Sequence, residues 1–68
     1  MNFGQWLRKK RTEKNIRIQQ VAEFCGTSGS QVSEIETGKN TKFNMELAEK
    51  LANSVGVKLS TALRQIGK

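Results

Sequence analysis

The chain has 68 residues, no proline or histidine and one cysteine, with 12 Lys and Arg against 6 Asp and Glu for a net charge of +6. That length supports one modest core, so residues 1–68 are expected to form a single unit of short helices. A lone cysteine makes no internal disulfide, and without histidine no metal site is expected. No apolar run is long enough to span a bilayer and no signal-peptide core appears, so a cytoplasmic chain with no membrane partner is expected.

Asn2 is a good N-cap, and a first helix is expected from there to about Lys14, with Asn15 taking the left-handed conformation at its end. Phe3, Leu7 and Arg11 share one stripe at helical spacing, so Arg11 points where an apolar side chain belongs. Trp6 neighbours that stripe and is expected to be half buried.

A second helix is expected over about Ile18 to Cys25, with Val21, Ala22 and Cys25 as its apolar face. Ala22 is small enough for two backbones to approach there. Cys25, on an apolar face, suits a small core residue better than a reactive thiol. Arg17 offers no capping oxygen, which weakens the helix start by about 1 kcal/mol. Gly26 falls where the chain must leave the helix with positive φ. Thr27 and Ser28 offer N-cap oxygens to a third helix, Gly29 to Thr37, which turns Val32 and Ile35 inward and ends at Gly38. Gly29 and Ser30 are poor helix formers, so this helix depends on the packing of Val32 and Ile35. Two short helices joined so tightly form a helix-turn-helix over about 18–37, a unit whose second helix commonly enters the major groove of DNA.

Glu36 also lies on the inward side of the third helix, one turn beyond Val32. Arg11 and Glu36 are thus misplaced in the same direction. A structural ion pair between the first and third helices accounts for both; the alternative is two separately solvated side chains.

Lys39 to Phe43 connect to a fourth helix capped by Asn44 and running from about Met45 to Val55, where Gly56 stops it. Met45, Ala48, Leu51, Ala52 and Val55 form its stripe and are expected to be core. In residues 57–68, Leu59, Leu63 and Ile66 are spaced for a fifth helix capped by Ser60, with Leu59 and Leu63 over the core. Val57, Leu59 and Thr61 also alternate with Lys58 and Ser60 as an edge strand would.

Taken together, Phe3-Gly4, Leu7-Arg8, Arg11, Val21-Ala22, Gly26, Ser28, Val32-Ser33, Ile35-Glu36 and Gly38-Lys39, with the run Leu51 to Val57, resemble the Cro/CI-type helix-turn-helix family of phage repressors and related bacterial regulators. The resemblance covers nearly the whole chain. It implies an all-α, lambda repressor-like bundle of about five short helices, and it favours the helix over the strand for the tail. It also implies an arginine–glutamate pair at the positions of Arg11 and Glu36. The chain departs from the family at Arg17, where Ser, Thr or Asn is usual, and at Ile18, where Gln is usual. The phosphate contact expected there passes to Arg17 or to Gln19. The loop before the fourth helix is about one residue longer than usual, and Phe43 stands where proline is common.

Charge is unevenly spread: residues 1–17 carry a balance of +5, residues 18–38 of −3 and residues 39–68 of +4. Basic residues flank the third helix and avoid it, which leaves backbone affinity to neighbouring elements and base reading to neutral or acidic groups. The outward and N-terminal residues Ser28, Gly29, Ser30, Gln31, Ser33 and Glu34 are the candidate base readers. Gln31 suits adenine and Glu34 suits cytosine. Candidate phosphate contacts are Arg17, Gln19, Thr27, Lys39, Asn40 and Lys42, while Lys9, Lys10 and Lys14 are expected to be exposed surface. The resulting expectation is a transcriptional regulator, a repressor binding a palindromic site in double-stranded DNA as a homodimer, with no cofactor. The competing expectation is an antitoxin-like module whose partner is a toxin-like protein. No enzyme is expected, because no nucleophile, acid–base pair or phosphate-binding glycine loop is recognisable.

Overall fold

A computed structural model describes residues 1–67. Its helices are, in chain order, α1 (Phe3–Glu13), α2 (Ile18–Cys25), α3 (Gly29–Thr37), α4 (Met45–Ser54) and α5 (Leu59–Ile66), and no strand occurs among the described residues. The tail is therefore helical, and the arrangement is a lambda repressor-like all-α fold. None of these helices is long and apolar enough to cross a membrane.

Local chemistry explains most of the boundaries. Asn2 Oδ1 accepts from the Gln5 N–H at 2.8 Å while Gln5 Oε1 accepts from the Asn2 N–H at 3.1 Å, a reciprocal capping box. Ser28 Oγ accepts from the Gln31 N–H at 3.1 Å, and Asn44 Oδ1 from the Leu47 N–H at 2.8 Å. Arg17 contributes no side-chain cap to α2, but Gln20 reaches back to accept from the Arg17 N–H at 2.8 Å. Gly26 adopts φ 70°, which lets the Thr27 N–H return to the Ala22 carbonyl at 2.9 Å and closes the turn between α2 and α3.

The centre of the molecule is filled by Trp6, Leu7, Val21, Val32, Ile35, Leu51 and Val55, all essentially inaccessible. Helices α1 and α3 meet most closely at Gly4: a Cβ there would lie 2.0 Å from the Ile35 carbonyl oxygen. Ala22 is buried too, but the crossing that requires a missing side chain is the one at Gly4.

Four sequence expectations are corrected. Trp6 is fully rather than half buried, because α5 packs on α1 and Gln65 Oε1 accepts from the indole N–H at 2.7 Å. Met45 is 67% exposed instead of core, since it opens α4 and Leu47 packs against the core in its place. Ser60 does not cap α5. The Val57 N–H bonds the Ala52 carbonyl at 3.1 Å, Lys58 is extended, and the helix begins at Leu59. Leu63 is 47% exposed, and α5 instead turns Leu59, Ala62 and Ile66 inward.

The junction of α1 and α3 is closed by an ion pair. Arg11 Nε donates to Glu36 Oε2 at 2.7 Å and Nη2 to Oε1 at 3.1 Å, while Nη1 donates to the Ile16 carbonyl at 2.9 Å. Glu36 is 6% exposed, so both carboxylate oxygens rely on the guanidinium fork. Lys14 also has a structural contact that its sequence position did not reveal: its ammonium donates to the Val55 carbonyl at 2.6 Å, where α4 ends.

Candidate nucleic-acid interface

The outward surface of α3 is set by what its inward surface must bury. Val32, Ile35 and Glu36 face the core, which leaves Ser28, Ser30 and Glu34 exposed and Gly29, Gln31 and Ser33 half-buried. The Ser28 cap fixes the direction of the first turn, so the hydroxyls of Ser28 and Ser30 stand at the end of the helix where N–H groups lack intrahelical partners.

A concavity between α2 and the first turn of α3 gathers Gln19, Thr27, Ser28, Gly29 and Ser30. Five candidate residues from two separate stretches thus share one surface, joined by Ile18, Ala22 and Glu23. Gln31, Ser33 and Glu34 do not line it. The Gln31 carboxamide oxygen accepts from the Thr27 hydroxyl, so the free bidentate group expected of Gln31 is already engaged through its oxygen.

The loop after α3 presents Lys39 and Lys42 to solvent. Asn40 holds it in shape: its N–H donates to the Glu34 carbonyl at 3.1 Å and its Oδ1 accepts from the Lys42 N–H at 3.1 Å. Asn40 is half-buried, with its carboxamide oxygen committed to the loop itself. Arg17 is exposed at the start of α2.

Sequence reasoning passed over the opposite end of α3. There a second concavity brings Gln5, Arg8, Lys9 and Thr12 of α1 beside Glu36 and Thr37. The sequence alone assigns Arg8 no role and marks Lys9 only as exposed surface. The signal available in the sequence was their spacing, which with Asn2, Gln5 and Thr12 puts them along one side of α1. Because Glu36 is neutralised by Arg11, the exposed carboxylates of the helix-turn-helix are Glu23 and Glu34.

A family model described as helix-turn-helix matches residues 7–61, which takes in all of α2, α3 and α4 and most of α1. No curated protein sequence matches the chain.

Proposed function

The chain belongs to the Cro/CI-type helix-turn-helix family, a family of DNA-binding transcriptional regulators, and on that premise we propose a sequence-specific repressor that binds a palindromic operator as a homodimer. The observation that carries this reading is the division of labour around α3. Its exposed N-terminal end bears small uncharged polar groups, while Arg17, Lys39 and Lys42 stand outside it with no acidic partner among the described residues. In this reading Ser28, Gly29, Ser30, Gln31, Ser33 and Glu34 meet base edges, and Arg17, Gln19, Thr27, Lys39, Asn40 and Lys42 meet phosphates.

A recognition helix of nine residues reads only a few base pairs, so a two-fold arrangement doubles the contacts and fixes the half-site spacing near one helical turn. Random-site selection with the purified protein tests the proposal. A palindromic consensus whose binding weakens steeply with salt is the expected result, and recovery of no preferred sequence would overturn it.

A second reading is favoured by Glu34, an exposed carboxylate on the reading helix, and by Gly29, which offers no side chain there. Both suit an antitoxin-like module that binds a toxin-like protein partner. An affinity for DNA that is absent or insensitive to sequence would move this reading to the front.

A further inference from the structure

We propose that the concavity between the side of α1 and the C-terminal end of α3 is a binding site for a phosphate group. Its charged wall is formed by Arg8 and Lys9, both exposed and, among the described residues, without an acidic partner. The one carboxylate in the lining is that of Glu36, and it is already engaged. Both its oxygens accept from Arg11, and the residue is 6% exposed. The cleft therefore carries two positive charges that nothing within it balances.

The hydrogen-bonding groups of the lining select the same kind of ligand. In the capping box the carboxamide oxygens of Asn2 and Gln5 each accept a backbone N–H, which leaves their amino groups as the unused ends. The Thr12 hydroxyl donates to the Arg8 and Lys9 carbonyls, and the Thr37 hydroxyl to the Glu34 carbonyl. What remains is a guanidinium, an ammonium and two amino groups, all of them donors. A ligand that is anionic and offers only acceptors fits this set. A carboxylate has too few oxygens for so many donors, whereas a phosphate presents its oxygens in several directions. At about 600 Å³ the concavity also has room for the group to which the phosphate is esterified. That group belongs either to the backbone of a bound duplex or to a free phosphorylated molecule, and the test separates the two.

The double variant Arg8→Gln/Lys9→Gln removes both charges of the cleft, and Lys39→Ala/Lys42→Ala removes as many outside it. Both variants should melt like wild type. Each protein is titrated with inorganic phosphate, against sodium chloride of equal ionic strength. Wild type and the Lys39→Ala/Lys42→Ala variant should show saturable shifts of the Asn2 and Gln5 side-chain amide resonances, and Arg8→Gln/Lys9→Gln should show none. A flat titration of wild type, one that acetate reproduces, or one equal in all three proteins would overturn the site. A second arm identifies the source of the phosphate. Each phosphate of the duplex recovered by random-site selection is replaced in turn by an uncharged methylphosphonate. A duplex phosphate in the cleft would appear as one position, repeated by symmetry, where the replacement weakens wild type about two- to fivefold and leaves Arg8→Gln/Lys9→Gln unaffected. A positive titration with no such position assigns the cleft to a free phosphorylated molecule. Only this second arm rests on the DNA-reading function proposed above. If selection returned no preferred duplex, that function would fail while the titration still decided the cleft.

Discussion

The two ends of α3 are held in opposite ways. At the C-terminal end, Ile35 and Glu36 are buried, the α1 backbone touches the Ile35 carbonyl at Gly4, and the Arg11 fork closes on the carboxylate. At the N-terminal end a single serine cap and the α2 turn position a glycine and two hydroxyl groups that face solvent or lie half-covered. Within one nine-residue helix, then, stability is concentrated at one end and the surface available to a ligand at the other. Substitutions should sort the same way: those near Glu36 should change melting, and those near Ser30 should change binding.

The largest expected effect breaks the held end. Arg11→Met leaves the Glu36 carboxylate buried without its fork and should destabilise the fold by about 3–5 kcal/mol in thermal or denaturant unfolding. Adding Glu36→Leu should restore much of that loss, because an apolar pair needs no desolvated charge. A single variant that melts like wild type would show that water reaches the carboxylate and that this end is less closed than its geometry indicates. Gly4→Ala comes next. Its Cβ cannot sit 2.0 Å from a carbonyl oxygen, so α1 and α3 must separate. The expected cost is about 1–3 kcal/mol, at the upper end because the obstacle is backbone. Neither substitution should alter sequence preference in protein that remains folded.

The same division explains what was legible in the sequence. Caps and stops are local: Asn2, Ser28 and Asn44 each hydrogen-bond three residues ahead, and Gly26 ends its helix in the left-handed conformation, so short stretches of sequence announce them. The Arg11–Glu36 pair was legible because two charges broke two apolar stripes. Its third link, to the Ile16 carbonyl, was not, because it depends on how the chain turns after α1. The misplaced residues Trp6, Met45, Ser60 and Leu63 all belong to α5, pack against it or open α4. Helical periodicity gives a stripe but not which neighbour docks on it. Ala62 shows the limit plainly. It is fully buried, yet next to Leu63 nothing in its side chain marks it as the inward residue. At the candidate interface, residue types and exposure were readable, but the bond between Thr27 and Gln31 required the turn itself.

The free end is tested by binding. Gln31→Ala should cost about 1–3 kcal/mol on the preferred site and relax preference at one base pair. Its fold should be little changed, since the hydrogen bond lost is the single, partly buried one from Thr27. Lys39→Ala and Lys42→Ala should weaken binding to all sequences alike, each making the salt dependence shallower by about one unit. If the lysine variants behave so while Gln31→Ala changes neither affinity nor preference, α3 is not the reading element and charge alone holds the duplex.

The smallest effect locates the boundary between the held and the free regions. Cys25 closes α2, just before the turn that leads to α3, and it is buried. Burial pushes its thiol up from the ordinary value of 9.0, against the opposing influence of Lys50 and a hydrogen bond with Ser54. A thiol whose pKa is higher folded than unfolded adds stability that is fully present below the unfolded value and is lost as pH rises through the folded one. Wild type should therefore lose stability above about pH 9 faster than Cys25→Ala, whose unfolding carries no thiol titration. Other groups titrate in both proteins, so the gap between their melting curves isolates Cys25. A narrowing gap on the alkaline side places Cys25 in the closed part of the molecule, with the free region beginning at the turn after it. A gap that stays constant would mean that solvent reaches the thiol, and the loosely held region would then extend back into α2.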